Sequence, residues 1–322
     1  MLAYGLRRLS LSVLLALSAT QAWAAFPDKP VRFVVPFPPG GGNDLVARAL
    51  AEGMARELGQ QVIVDNRPGA GTVIGTEYAA TRPPDGYTIL LASVSFSVNP
   101  SLLSSLPYDP VKSFTPILLL GRYPNVVVVL PERPYKTMTE LIAYAKANPG
   151  KLNYGSFGNG TSPHLSAEMF KVLAGLDITH IPYKGAAPAL TDLLGGRLDV
   201  IFSTASSAGT YVRGGRMRAL AVTGATRAAA YPDLPTVAEA GVAGYESVAW
   251  YGILGPAGLP AEIVARLYAS IAIAAKAESF LKRSEEDGLE VAVDSGAALA
   301  RLIDTEIARW RRVVTEAKIK PD

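Results

Sequence analysis

The chain contains no cysteine in 322 residues. This excludes disulfides, thiol catalysis and a lipid-modified N-terminal thiol. Histidine is nearly as scarce, with His164 and His180 the only two. Two imidazoles at that spacing make no zinc pattern and, without a placed nucleophile, no catalytic triad. No Gly-x-x-x-x-Gly-Lys run occurs, so a phosphate-binding P-loop is excluded. Gly158-Asn159-Gly160 is followed by Pro163 where a dinucleotide fingerprint would place its third glycine. Gly155-Ser156-Phe157-Gly158 lacks the Gly-x-Ser-x-Gly frame of a hydrolase elbow. The only enzyme reading left is a secreted hydrolase using Ser156 and His164. No cofactor and no metal site is expected.

No stretch beyond residue 24 is long and apolar enough to span a bilayer. Residues 9–17 form an apolar run too short to do so. Arg7 and Arg8 precede it, and Ala22-Trp23-Ala24 follows as a small-x-small site. Residues 1–24 therefore read as a signal peptide cleaved after Ala24, which sends a soluble mature chain to the periplasm. Charge of one sign is also lacking. The chain has 31 basic and 28 acidic residues, and two of the arginines lie in residues 1–24, leaving 29 against 28. A net charge of +1 gives no argument for a nucleic-acid partner. The 298 residues after cleavage suffice for two lobes with good cores. The 30 glycines and 24 prolines are spread as turn punctuation, and no internal repeat is visible.

What is present begins with residues 31–44. Val31-Arg32-Phe33-Val34-Val35 reads as a buried strand and Pro36 to Gly42 as a turn. Leu45, Val46, Ala49, Leu50, Met54 and Leu58 fall near one face of a following helix. Glycines before a helix let backbone N–H groups approach a ligand, and the first turn carries partial positive charge. The segment reads as an anion cradle without Lys or Arg, or else as an ordinary strand-to-helix turn. A second loop of this kind runs from Gly155 to Ser162, with Ser162 as N-cap and Pro163 at the first helical position. Two such loops, far apart in one chain, suggest two lobes that each offer a cradle to one small anionic molecule.

Strands are expected at 31–35, 62–64, 88–92, 116–120, 126–130, 152–154, 178–181, 199–202, 219–222 and 252–254. Helices are expected at 43–58, 72–81, 138–148, 163–174, 187–195, 261–277 and 296–317. This alternation predicts α/β lobes with largely parallel sheets, with ligands at the carboxyl ends of the strands. Residues 121–125 and 244–247 are the expected crossings. They divide the chain into a discontinuous first lobe, 25–123 plus 247–322, and a second lobe, 124–246, joined so that a hinge can work.

Several stretches match a family. They are Pro36 to Gly42 with Asp44; Val64-Asp65-Asn66-Arg67-Pro68-Gly69-Ala70-Gly71; Pro84-Asp85-Gly86-Tyr87-Thr88; Tyr154-Gly155-Ser156 through His164-Leu165; Ile181-Pro182-Tyr183-Lys184-Gly185 with Asp192 to Gly196 and Asp199-Val200; and Tyr231-Pro232-Asp233-Leu234-Pro235-Thr236 with Glu239-Ala240-Gly241. The chain thereby resembles the Bug/TctC family of extracytoplasmic solute receptors over nearly its whole mature length. The resemblance implies a Venus-flytrap protein of the type II periplasmic class, two α/β lobes with a ligand cleft between them. It implies no catalysis, an organic carboxylate held by backbone groups and ordered water, and delivery to membrane subunits of a tripartite tricarboxylate-type transporter. A monomer is expected. A periplasmic sensor presenting the same solute to a signalling receptor would look identical in sequence. Residues 92–100 depart from the family. Relatives often carry Gly-Thr and a His there, whereas this chain has Ser93 and Phe96, with Ser95 between them.

The expected ligand-binding set follows. Phe37, Pro38, Gly41 and Gly42 form the first cradle, and Ala70, Gly71 and Thr72 a second turn of the same lobe. Ser95 belongs to the departing wall. Ser156, Gly160, Thr161 and Ser162 come from the second lobe. Asp199 either accepts from the ligand side or serves as a cap or ion-pair partner. His164 either donates to the ligand or is structural. Asp44 favours its helix dipole and reads as structural. Lys184 and Arg67 read as solvated surface. Succinate-like diacids, amino diacids and aromatic carboxylates all fit two cradles. Phe37, Phe96 and Phe157 near the loops favour an apolar ligand body over citrate.

Overall fold

The computed structural model describes residues 26–286 and 288–316. The expected cleavage site therefore lies outside the described residues. Strands β1 (Val31–Val35), β2 (Val62–Asn66) and β3 (Thr88–Ala92) pair in parallel with β1 in the middle. Helix α1 (Gly42–Leu58) lays Val46, Leu50, Met54 and Leu58 on this sheet and ends at Gly59, whose left-handed φ of 67° only glycine adopts without strain. Fully burying side chains such as Phe33 and Leu50, both 0 % exposed, stabilises the fold by about 1.5–3 kcal/mol each. At the other end of the molecule β5 (Asn153–Ser156) lies between β6 (Thr179–Pro182) and β7 (Val200–Thr204), again in parallel.

Two long strands join these ends. β4 (Phe114–Val129) and β9 (Val248–Pro256) run antiparallel, and the sheet order is β2-β1-β3-β9-β4-β7-β5-β6. β8 (Arg218–Val222) and β10 (Glu290–Ser295) also pair with β4. The sequence predicts two strands here with a loop at 121–125, but the structure has one strand of 16 residues. The reason lies at Pro124, which pairs with Val248 of β9, while the next residue, Asn125, pairs with Thr204 of β7. Proline has no N–H for a ladder, so it can mark a change of partner without breaking the strand. Gly121 is also required, because a Cβ there would lie 2.3 Å from the Glu290 carbonyl oxygen. The two segments expected as crossings are tied by Thr223, whose Oγ1 donates to Ser247 O at 2.7 Å and accepts from the Asn125 amide at 2.7 Å.

Several elements were not expected from sequence, among them the helix Glu278–Glu286 and three more. Val94-Ser95-Phe96-Ser97-Val98 alternates like a strand, yet it is part of helix α3 (Val94–Leu102), which starts at the N-cap Ser93 and is buried on nearly every side. Helix α7 (Ala205–Arg213) is built on Ser, Gly and Thr, which favour helices weakly. The third is β10. The helices before and between these are α2 (Val73–Ala80), α4 (Met138–Ala147), α5 (Ser162–Ala174) and α6 (Ala186–Leu194). No helix among the described residues is long and apolar enough to cross a membrane.

Candidate functional site

Five helix N-termini meet around one cavity of about 100 Å³. Gly41 caps α1, Ser93 caps α3, Thr161 caps α5, Gly185 caps α6 and Thr204 caps α7, and all five residues line it. The first-turn amides of a helix have no intrahelical carbonyl to bond. Each N-terminus also carries roughly half a positive charge. An anion in this cavity meets positive potential from five directions. Phe37, Pro38, Tyr123 and Phe157 supply apolar wall, and Lys184 is the one charged residue in the lining. Burial pushes the Tyr123 phenol up to about 12, against bonding from Tyr251 and Ser162, so this wall stays neutral.

The first loop is held by Asp44. Its carboxylate turns back to accept from the Gly40 amide at 2.8 Å, from Arg48 Nε at 2.9 Å and from Asn66 Nδ2 at 2.9 Å. Burial raises its pKa, but the bonds from Arg48, Gly40 and Asn66 outweigh burial and hold the group below the ordinary carboxylate range. Asn66 Nδ2 also donates to the Phe37 carbonyl, fixing the strand end. In the second loop the N-cap is Thr161, one residue before the expected Ser162, which places Pro163 at the second helical position. Thr161 Oγ1 donates to Gly158 O at 2.6 Å, and Ser162 Oγ to Asn125 Oδ1 at 3.3 Å. With these hydroxyl protons committed inside the protein, the backbone amides are the donors that this loop has left to meet a carboxylate.

Residues from the two expected lobes touch around the cavity. A Cβ on Gly42 would lie 2.2 Å from Ser206 Oγ, and one on Gly185 3.0 Å from Pro38 Cγ. Ser95 Oγ donates to Gly160 O at 2.9 Å. The cavity is thus enclosed by contacts between residues far apart in sequence.

Of the fourteen expected ligand residues, the lining contains Phe37, Pro38, Gly41, Gly42, Ser95, Thr161 and Ser162. The other seven stand behind it or elsewhere. Ala70, Gly71 and Thr72 have φ of 47°, 59° and 85° in succession. This turn hangs on Asn99, whose Nδ2 donates to Gly71 O at 2.9 Å and to Thr72 Oγ1 at 3.2 Å. It leads into α2 and leans on the second loop, where a Cβ on Gly71 would come 3.5 Å from Asn159 O. Gly160 faces Ser95 through its carbonyl, and its amide donates to His164 Nδ1 at 3.1 Å. His164 therefore supports the loop rather than the cavity. Ser156 Oγ is fully buried, accepts from the Gly158 amide at 3.2 Å and shares a 2.7 Å bond with His180 Nε2. Asp199 sits at the opposite, amino-terminal end of β7. It pairs with Arg133 at 3.0 Å and accepts from the Asn153 amide at 2.8 Å. Phe96 packs in a core cluster with Tyr108 and Phe114, away from the lining.

The rings of His164, His180 and Tyr154 form a continuous stack, with centroids 4.3 and 4.7 Å apart. Burial, then His180 and Lys171, lowers His164 to about 3. Burial also lowers His180, against Glu168 and with Lys171, to about 4. Both are neutral near pH 7. Ser156 pairs with His180 and not with His164, and neither Ser156 nor His164 reaches the cavity, so the hydrolase arrangement is not formed. Among the described residues no three His, Asp or Glu side chains gather as metal ligands.

Sequence reasoning placed the start of α6 one residue late, at 187, read Lys184 beside it as solvated surface, and missed α7; Gly185 and Thr204 were not assigned to the site. The signal in Tyr183-Lys184-Gly185-Ala186 was the same as in the two cradles: a strand, a glycine, then a helix. Asn43 and Ser93 were also passed over as lining.

The family model described as the tripartite tricarboxylate transporter family receptor matches residues 46–319. A Pseudomonas protein encoded in the tcbD-tcbE intergenic region is 37% identical over 98% of this chain and 95% of its own length. The solved structure of the periplasmic binding protein BugD superposes with a TM-score of 0.87 at 36% identity, covering 92% of this chain and all of that one. An adipate-bound R. palustris protein does so with 0.87 at 37% identity and the same coverage. MatC from Rhodopseudomonas palustris, with bound malate, gives 0.83 at 32% identity over 90% of this chain and all of its own. The α/β fold is that of periplasmic binding proteins of this type, and the chain belongs to the tripartite tricarboxylate transporter receptor family, whose members are solute-binding receptors and not enzymes.

Proposed function

We propose that this chain captures a small organic carboxylate in the cavity between its halves and delivers it, in the periplasm, to a tripartite tricarboxylate-type membrane transporter. The observation that carries this reading is the convergence of five helix N-termini on one cavity whose lining holds a single charged side chain. Oriented amides stabilise a buried carboxylate without a paired guanidinium. Phe37, Pro38, Gly41, Gly42, Ser95, Thr161 and Ser162 then touch the ligand, together with Asn43, Ser93, Gly185 and Thr204. Ala70, Gly71, Thr72, Gly160 and His164 set the walls from behind.

The lobe boundaries in this reading are 25–123 plus 247–322 for one lobe and 124–246 for the other. The change of partner along β4 between Pro124 and Asn125 supports them. The protein works as a monomer, cleaved after Ala24. Adipate and malate, bound by two relatives, head the test panel. Thermal-shift screening followed by calorimetry should find at least one diacid that raises Tm and binds with one-to-one stoichiometry. A panel in which no carboxylate shifts Tm while a neutral or cationic solute does would overturn the reading. Uptake of the identified acid by cells with and without the gene separates transport from sensing.

A further inference from the structure

Lys184 is the residue in the lining whose charge has no partner among the described residues. It is exposed at the edge of the cavity, immediately before the N-cap Gly185 of α6. Its position is set by its neighbours. On one side Tyr183 is fixed by its amide, which donates to Ser156 O at 3.2 Å, and by its hydroxyl, which donates to Asp192 Oδ2 at 2.7 Å. On the other side Gly185 has φ of 108° and lies against Pro38 across the cleft, with so little room that a Cβ would come 3.0 Å from Pro38 Cγ. The nearby acid Asp192 spends its charge on Arg197 at 2.7 Å. A fixed turn therefore presents an unneutralised ammonium where the two halves close on each other, and α6 adds its own dipole to that positive potential.

We infer that Lys184 is the specificity-determining residue that selects a diacid over a monoacid, pairing its ammonium with the outer carboxylate of the ligand. The inference rests on the carboxylate reading above and deepens it. The helix starts inside the cavity supply neutral donors for one carboxylate. A second carboxylate at the other end of a short chain needs a counter-charge at the mouth, and Lys184 is the only lining side chain that offers one. A ligand with a methyl group in place of the outer carboxylate would leave the ammonium unpaired as the cleft closes over it.

The test is calorimetry with acids matched in length, adipate against hexanoate and succinate against butyrate, on the wild type, Lys184→Gln and Lys184→Arg. Lys184 is exposed, so neither variant removes a buried contact. The wild type is expected to prefer the better-fitting diacid to its monoacid by tenfold or more. Lys184→Gln should weaken the diacid about tenfold and leave the monoacid unchanged, while Lys184→Arg keeps most of the preference. Raising salt should erode the wild-type preference and not that of Lys184→Gln. An unchanged diacid-to-monoacid ratio in Lys184→Gln overturns the inference, as does an equal loss for both acids, which would mark a steering charge only. Both outcomes leave carboxylate binding itself intact. A wild type that binds none of the four acids, or anything else in a carboxylate panel, overturns the carboxylate reading and this inference with it.

Discussion

Ser95 Oγ donates to the Gly160 carbonyl across the cleft at 2.9 Å. One partner lies on α3 and the other on the loop before α5. In the two-lobe reading proposed above, the bond forms only in the closed state. His164 accepts from the Gly160 amide, so the same residue is held through both its N–H and its C=O. A neutral hydrogen bond of this kind contributes about 0.5–1.5 kcal/mol net. Ser95→Ala should therefore weaken ligand affinity about two- to tenfold with little change in the Tm of the ligand-free protein. Calorimetry measures the first effect. Small-angle scattering should show the wild type compacting on ligand binding and the variant compacting only at higher ligand concentration. Equal affinity in wild type and variant would show that this bond does not latch the closed form.

Gly42 and Gly41 separate closure from cradle geometry. A Cβ on Gly42 would meet Ser206 Oγ at 2.2 Å and Thr204 Oγ1 at 3.2 Å, both in the proposed second lobe, whereas one on Gly41 would find only Pro38 O at 3.9 Å. Gly42→Val should hold the halves apart. The expected outcome is a loss of affinity of a hundredfold or more and a radius of gyration that no longer falls with ligand, at near-wild-type Tm. Gly41→Ala should bind within a few-fold of wild type. An equal and severe loss in both variants would mean that the glycines serve the amides rather than the approach of the halves.

These contrasts also mark how far the sequence could be read. Val31–Val35 and α1 were legible because an apolar strand, a Pro-Gly turn and a 3.6-residue period each carry a local signal. The strand-loop-helix order at the second glycine loop was legible for the same reason. The start of α7 was not, since Thr204 closes a fully buried strand and the helix after it is Ser- and Gly-rich. α3 was hidden because its serines alternate with apolar residues as in a strand. That Gly42 meets Ser206, or Ser95 meets Gly160, depends on how the halves close and leaves no mark in any local window. Ser156, His164 and Asp199 are polar residues whose partners are set by the sheet: Asp199 reaches Arg133 and the Asn153 amide because β5 and β7 lie side by side.

The imidazole pair predicts a pH dependence with a definite sign. In the folded protein burial lowers His164 to about 3 and His180 to about 4, while an unfolded histidine titrates near 6.5. Below about 6.5 the unfolded chain takes up protons that the folded chain refuses, so stability falls as pH falls. The loss begins near the unfolded value and continues until the folded values are reached; above it the histidines contribute no slope. The groups facing them are Tyr154, Glu168 and Lys171, and the Glu168 carboxylate accepts from both of the others. Denaturant midpoints should be flat in this respect between pH 7 and 8 and should decline between pH 6.5 and 4. The decline should approach about 1.4 kcal/mol per pH unit for each histidine at its steepest. His180→Gln should remove close to half of the slope. A variant slope equal to that of the wild type would place the acid sensitivity elsewhere.

The chemistry of the ligand body turns on which phenylalanines face it. Phe37 and Phe157 line the cavity. Phe96 is 2% exposed and packs against Phe114 and Tyr108 with ring centroids 5.2 and 6.3 Å away. Phe96→Ala should therefore cost about 3–5 kcal/mol of stability through the cavity it leaves, with the ranking of ligands unchanged. Phe157→Ala should do the reverse, because that ring covers the rim near α6 and lies only partly within a core. Its Tm should fall little, and affinity for a diacid with an apolar chain should drop about tenfold. In the wild type, a wall made by Phe37, Pro38 and Phe157 offers a ligand hydroxyl no partner, and an unmatched buried hydroxyl costs about 1–3 kcal/mol. Adipate or an aromatic diacid should thus displace citrate in competition calorimetry, by roughly tenfold or more for a single unmatched hydroxyl. Citrate binding more tightly than every aliphatic and aromatic diacid tested would show that the phenylalanine wall does not set the preference. It would assign ligand choice instead to the ring of helix starts, which any carboxylate can satisfy.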